Sequence, residues 1–344
     1  VAYCNNFGYF VGDQAAGKVY RYTIDRTVET LTHGVGFGTA MAETSTTLVI
    51  TEPNSSSKVY VYSLVSVGTE NSVIPQQQIT IGGAIAGNAV ALSGDSKWLF
   101  VSDFADAEVL VYRLDETESF IFTGFVTSTV VEAGENSFKI AGDYSTYFKI
   151  GTTVSFNNTV GTPTYKINAA QYDETADETS FYIIGTLTSA VMSGVNIFTV
   201  TTEYSNVGSI TVSGIIPTDN FGYSISTNYD GSKVFVSAPN TDFSETFTDT
   251  GSVFAFDRIV QVFAHRYNTL PGQSTVFSLA WTPVITPTVT QNGIAIAATR
   301  YTVIDDKLTI LNQVNAGDLI EVRILRSTVT NDRPRPTVTA VSYS

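Results

Sequence analysis

The chain has one cysteine, Cys4, in 344 residues. A single thiol forms no internal disulfide and no cysteine-rich zinc site. Histidine is nearly as scarce: His33 and His265 stand far apart, with no H-x-x-x-H spacing. A Ser-His-Asp triad would have to draw on one of them, and no G-x-S-x-G accompanies either. Each reads as an exposed or hydrogen-bonded histidine. The chain carries 18 Lys+Arg against 32 Asp+Glu, a net charge of −14. Nothing in that balance supplies the basic surface needed to bind a phosphate backbone, so nucleic acid is not an expected partner. No apolar run approaches the roughly 18–20 residues of a membrane helix, so membrane insertion is not expected either. No P-loop or G-x-G-x-x-G sits between a strand and a helix, which argues against nucleotide-dependent chemistry. The opening Val1-Ala2-Tyr3-Cys4-Asn5-Asn6 has neither the basic nor the apolar segment of a signal peptide. Starting on Val, the chain reads as a processed or excised piece of something larger.

Apolar and aromatic residues are plentiful. Hydrophobic residues make up 43% and aromatics 12%, including 18 Tyr and 21 Phe. That is ample for real cores and excludes global disorder. Alternation of period two recurs, as in Lys58-Val59-Tyr60-Val61-Tyr62 and Asp318-Leu319-Ile320-Glu321-Val322-Arg323-Ile324. Such segments, bounded by Gly, Asn, Asp and Pro, predict half-buried strands. No segment predicts a helix longer than two turns. The expected fold class is all-β.

A two-strand unit repeats four times. The copies are Tyr9–Asp13 with Gly17–Tyr22, Leu48–Asn54 with Lys58–Tyr62, Trp98–Asp103 with Glu108–Tyr112, and Val234–Asn240 with Gly251–Phe256. Three copies carry an upstream strand: Gly36–Ala42, Ala86–Ser96 and Asn220–Ser226. The first copy is expected to lack one, because the chain begins there. Gly94-Asp95-Ser96 and Asp230-Gly231-Ser232 predict tight hairpin turns, since Gly and Asp tolerate positive φ.

This pattern resembles the FG-GAP repeat of integrin-α-type β-propellers, most closely in the fourth copy: Phe221-Gly222, Asp230-Gly231, Ala238-Pro239-Asn240, then Gly251-Ser252-Val253-Phe254-Ala255-Phe256. The resemblance covers about half the chain. It implies blades of about four antiparallel strands around an axis. Calcium-binding members carry several acidic side chains between the first two strands. Here that turn offers only Asp230, Asp95, or none in Glu43-Thr44-Ser45-Thr46-Thr47. Calcium takes six to eight oxygens, so no metal site is carried over. No cofactor is expected. Four copies make a small propeller. Either they close a ring, with a late strand completing the first blade, or further blades lie outside this sequence; the reading favours a fragment.

Spacing sets the domain boundaries. Val19 to Val59 is 40 residues, Val59 to Val109 is 50, and Val109 to Val253 is 144. The excess is most simply one inserted domain. The expected division is 1–118 for the first blades, 119–207 for an inserted β domain and 208–263 for a further blade. A C-terminal β-sandwich at 264–328 and an extended tail at 329–344 complete it. The insert has five expected strands: Asn136–Ile140, Tyr147–Gly151, Thr164–Ile167, Thr179–Ile184 and Asn196–Val200. Five short strands suggest a small barrel or sandwich placed in a loop, where insertions are tolerated. In the C-terminal part, Asn292-Gly293 is a strong two-residue hairpin signal. The ordered set Val289-Thr290-Gln291-Asn292-Gly293, Tyr301-Thr302-Val303, Leu308-Thr309-Ile310-Leu311 and Ala316-Gly317-Asp318-Leu319-Ile320-Glu321-Val322 is similar to a small module of bacteriophage tail and fibre proteins. The inserted segment also resembles modules of phage structural proteins. Arg333-Pro334-Arg335-Pro336 reads as an extended linker.

These resemblances imply a non-enzymatic structural component of a phage virion, in a tail, fibre or other surface appendage. Expected partners are other virion structural proteins, copies of the chain itself, and a glycan or receptor on the host surface. A bacterial cell-surface adhesin with an integrin-like propeller is the alternative. A polysaccharide-degrading tail enzyme is the second. Carboxylate-pair hydrolysis needs no histidine, and its candidate pairs are Asp103 with Asp106 and Asp305 with Asp306. Both pairs fall in predicted turns, where Asp commonly serves backbone hydrogen bonds, so no catalytic residue is assigned.

Overall fold

The computed structural model describes residues 1–54, 57–81, 86–212, 214–242, 250–264, 275–279, 287–311, 314–315 and 317–327. His265 and the expected tail at 329–344 lie outside them. The protein is all-β, 57% strand and 2% helix, with several sheets, one of which curls into a half-barrel. The chain divides into two units. One comprises Val1–Glu52, Lys58–Thr80 and Leu114–Ser205; the other comprises Pro53–Ser57, Ile81–Arg113 and the chain from Asn206 onward.

The first unit opens with two four-stranded antiparallel meanders. The first sheet is β1 (Ala2–Cys4), β2 (Gly8–Asp13), β3 (Lys18–Tyr22) and β4 (Val28–Thr32). The second is β5 (Met41–Glu43), β6 (Thr47–Glu52), β7 (Lys58–Val67) and β8 (Glu70–Thr80). Phe10, Val19, Phe37, Leu48, Ile50, Tyr60 and Tyr62 form their shared core. The first sheet therefore does have an upstream strand. Ala2 and Cys4 turn into the core while Tyr3 faces out. Three residues are too few for periodicity to reveal. β2 alternates buried and exposed at its start, whereas β6 is buried at all six positions.

The inserted segment has its own core of Phe138, Ile140, Phe148, Val154, Ile167, Phe181 and Ile197. Its strands are β12 (Ser137–Ala141), β13 (Thr153–Ser155), β14 (Tyr165–Asp173), β15 (Glu178–Ile183) and β16 (Asn196–Ile210). Their hydrogen-bonding order is β12–β15–β14–β13–β16. The expected strand over 147–151 is instead a turn-bearing loop. Tyr147 N donates to Tyr144 O at 2.9 Å, and Gly151 stands at φ +92°, both incompatible with a ladder. Phe148 still plugs the core, which is why the segment looks strand-like in sequence. The insert is tied to the β7–β8 hairpin. Gln77 Nε2 donates to Tyr204 O (2.9 Å) and Gln77 Oε1 accepts from Tyr204 N (2.6 Å). Lys149 Nζ donates to Val73 O (2.9 Å).

The same eight-stranded sheet continues from β16 into a third four-stranded group, β16–β11–β10–β9, made with β11 (Glu108–Val126), β10 (Trp98–Asp103) and β9 (Ala86–Leu92), of which β9, β10 and the start of β11 fall in the second unit. β17 (Ile225–Thr227), β18 (Lys233–Ala238) and β19 (Ser252–Ala264) begin a fourth. Phe100, Val109, Val111, Phe221, Val234, Val236, Phe254 and Phe256 fill the core between these two sheets. The C-terminal module follows with β20 (Thr275–Ser278), β21 (Thr288–Gln291), β22 (Ile294–Ala295), β23 (Tyr301–Ile304), β24 (Lys307–Ile310) and β25 (Leu319–Ser327). Its core includes Phe277, Val289, Leu308, Ile310, Ile320 and Val322. β20, β24 and β23 make one sheet; the other runs β17–β18–β19–β25–β21–β22. β25 pairs with β19 from Phe256↔Ser327 to Ala264↔Leu319. It thus stands fourth in the fourth sheet while also belonging to the module.

Candidate functional site

Gly38, Gly87 and Gly222 open the second, third and fourth sheets, and they share one backbone conformation, with φ of 91°, 91° and 92°. A Cβ on Gly222 would lie 2.8 Å from Ser102 Cβ, and one on Gly12 would lie 2.2 Å from Gly38 O. Only glycine lets adjacent sheets approach so closely. A hydroxyl then staples each first strand to its second. Thr51 Oγ1 accepts from Ala40 N (3.0 Å) and donates to Ala40 O (3.3 Å). Ser102 Oγ does the same with Ala89 (2.9 and 3.2 Å), and Ser237 Oγ with Ser224 (2.9 and 3.4 Å). The pairing of β9 with β10 shifts register between Val101 and Asp103, where Ser102 sits, and its hydroxyl satisfies backbone groups beside that shift. Sequence reading missed the staple, although a Thr or Ser stands at the same place in three copies.

The hairpin turns also differ from expectation. In the third sheet the residue with positive φ is Ser96 (59°), equivalent to Gly231 (66°) in the fourth. Asp95 and Asp230 are the equivalent aspartates. Asp95 Oδ1 accepts from Lys97 N (3.1 Å) and Asp230 Oδ1 from Ser232 N (3.0 Å). Their carboxylates hold turns.

The sequence-predicted pair Asp103 and Asp106 does come together, joined by Glu108, with carboxylate oxygens within 4.8 Å of one another. The end of β10 and the start of β11 position them. Asp103 is 2% exposed, and its Oδ1 accepts from Ala105 N at 3.1 Å. Burial raises the Asp103 carboxyl above the usual carboxylate range, with Asp106 adding to the rise and backbone donors opposing it. With one oxygen from each, three carboxylates supply half or fewer of the six to eight oxygens calcium takes. Asp305 and Asp306 form the β23–β24 turn, with Asp305 at φ 54° and Asp306 3.3 Å from Lys307 Nζ. Asp305 and Asp306 therefore occupy a turn, whereas Asp103 closes β10 and only Asp106 lies in the turn that follows.

A second polar cluster lies in the first unit. The His33 ring stacks on Tyr60 (centroids 3.9 Å) and its Nε2 lies 2.9 Å from Tyr62 Oη. Tyr60 Oη donates to the buried carboxylate of Glu52 at 3.0 Å, and Gly34 N donates to the same oxygen, also at 3.0 Å. Burial lowers the His33 pKa, against the pull of Glu52. Burial and the Glu52 bond push Tyr60 up to about 12. Tyr62 rises for the same first reason. The cluster reads as a satisfied stack of rings closing the 33–38 segment onto β7. Cys4 is buried, and its thiol is pushed up to about 12 chiefly by that burial, so it is a poor nucleophile. Among the described residues no helix is long and apolar enough to cross a membrane.

The chain matches no known family and no curated protein.

Proposed function

We propose that this chain is a non-enzymatic structural component of a bacteriophage virion, in a tail, fibre or other surface appendage. In this reading its four sheets are propeller-type blades of the FG-GAP kind. They form a rigid scaffold that displays side modules and presents them to a host surface. The observation that carries the reading is positional. The two sheets that carry modules do so at the same place, between their third strand (β11, β19) and their fourth (β16, β25). Shared glycine conformation and the hydroxyl staple support treating the second, third and fourth sheets as one repeat, and the first shares their four-stranded antiparallel order. Antiparallel ladders fixed by packed cores resist opening, which suits a spacer and display role. The similarity of residues 288–322 to phage tail modules supplies the setting. Other virion proteins, copies of the chain and a host-surface glycan are the partners it implies.

The test is location. Antibody against the chain should decorate an appendage of purified particles of the phage encoding it, and peptide mass spectrometry should find it there in stoichiometric amount. Absence from washed particles overturns the reading. The adhesin alternative gains if the protein is instead found on a bacterial surface and melts lower on chelation of calcium. The enzyme alternative gains if the protein releases reducing sugar from host polysaccharide and Asp103→Asn abolishes that release.

A further inference from the structure

The geometry points to a binding groove for a carboxylate-bearing saccharide in the C-terminal module. The groove, of about 530 Å³, opens between the β21–β22 hairpin, the segment leading to Arg300, and the turn at Asn315–Asp318. That volume lies in the range of small-molecule sites, roughly 300–1,000 Å³. Asn292 and Gly293 both take positive φ (53° and 80°) at the hairpin tip, which places Ile294 at the start of β22 directly after it. Ile294 is 75% exposed and continues into Ala295, Ile296 and Ala297, giving the groove an apolar strip.

Polar chemistry lines the rest of the groove. Asp318 is a hub whose oxygens accept from Gln291 Nε2 (2.6 Å), Asn292 Nδ2 (2.7 Å) and Asn315 N (2.7 Å). Those oxygens are therefore held by donors of the protein, and the two side-chain amides are held in fixed orientations. Arg300 is different. Its guanidinium makes no hydrogen bond or ion pair among the described residues, although it lines the same groove. Of the two charged groups in the groove the cation is the one without a protein partner, so the ligand it suits carries a negative group.

An apolar strip, oriented amides and one free guanidinium together match a pyranose bearing a carboxylate. Its C–H face would cover Ile294 and Ile296, and its hydroxyls would meet Gln291 and Asn292. Its carboxylate would take the planar fork of Arg300, a charge-assisted contact. The inference deepens the display reading, on which its biological setting rests; binding itself does not depend on that reading.

The experiment uses the full chain. Saturation-transfer NMR and calorimetry would be run with tetrasaccharides of hyaluronan, alginate and polygalacturonate, with maltotetraose as the neutral comparator. Sodium acetate and sodium sulfate at matched ionic strength separate a bound sugar from a free anion. At least one carboxylated tetrasaccharide should bind while maltotetraose does not. Arg300→Gln should weaken that binding tenfold or more and Ile294→Ser several-fold. Both side chains are exposed, so both variants should melt like the parent. No binding by any carboxylated probe overturns the proposal. So does binding unmoved by Arg300→Gln, or equal competition by acetate or sulfate. A chain found in particles that binds none of these sugars removes the groove and leaves the scaffold reading intact. A chain absent from particles that binds them does the reverse.

Discussion

The first two sheets and the last two differ at one connection. In the first sheet a short turn joins β3 to β4, with Thr23 Oγ1 2.6 Å from Thr27 Oγ1. In the second, β7 and β8 meet at Gly68, whose φ of 61° suits a tight hairpin. In the third and fourth, the same connection expands into a module with a separate core. The strands around it stay antiparallel and adjacent, β11 beside β16 and β19 beside β25. A hairpin between paired strands holds its two ends close together. A folded module whose own ends are adjacent can replace it without disturbing the ladder. The sheets are thus stabilised by packed faces in all four and, in the second, third and fourth, by the close glycine and the hydroxyl staple, rather than by what hangs from them.

That conclusion can be broken most sharply at Gly222. If shared packing stabilises the module-bearing sheets, Gly222→Ala should cost about 3 kcal/mol. The new methyl group would lie 2.8 Å from Ser102 Cβ on a backbone at φ 92°. Urea denaturation followed by tryptophan fluorescence reads it, since Trp98 sits in this core. A loss below about 1 kcal/mol would mean that the modules, not the packing, hold these sheets.

Next in size is the tether between insert and hairpin. Gln77→Ala strips both backbone groups of Tyr204 of a side-chain partner, at an expected cost of about 2 kcal/mol. The effect should appear in the unfolding of the first unit. A neutral result would show that the Gln77 bonds add nothing to what Lys149 and the β11–β16 pairing already hold. Smaller again is the staple. Ser102→Ala leaves Ala89 N and O without that hydroxyl, and about 1 kcal/mol should be lost. Ser102→Thr should restore most of it, because Thr51 performs the same task in the second sheet.

Strand content and the repeat were legible because they rest on long signals. Period-two alternation in Lys58–Tyr62 and Trp98–Asp103 survives any detail of packing. The Asn292-Gly293 turn was legible because few dipeptides tolerate two positive φ values in succession. β1 was not, since three residues carry no period. The loop at 147–151 was misread because Phe148 needs only a core to enter, and strand and loop both supply one. The role of β25 as fourth strand of the fourth sheet was hidden because pairing across the whole length of a module leaves no local trace. Of the candidate carboxylates, proximity of Asp103 to Asp106 was legible from spacing. The approach of Glu108 depended on how β11 leaves the turn.

The smallest effect separates the turns that follow the staple. Glu52, Asp103 and Ala238 occupy equivalent positions after Thr51, Ser102 and Ser237. Glu52 has Tyr60 Oη and Gly34 N as donors, whereas Asp103 has backbone donors and acidic neighbours. Burial chiefly holds the folded-state pKa of Asp103 above its ordinary value of 3.8. A raised folded pKa means that folding favours the protonated form. Asp103 is therefore least unfavourable below pH 3.8, and stability falls as pH rises through the folded value. Asp103→Asn keeps an acceptor for Ala105 N and removes the charge. It should leave Tm unchanged near pH 3.5 and raise it slightly at pH 7. A fall in Tm at pH 7 that appears only with millimolar calcium present would show instead that this turn of the third sheet is held by a bound cation. That would set it apart from its counterparts in the second and fourth sheets.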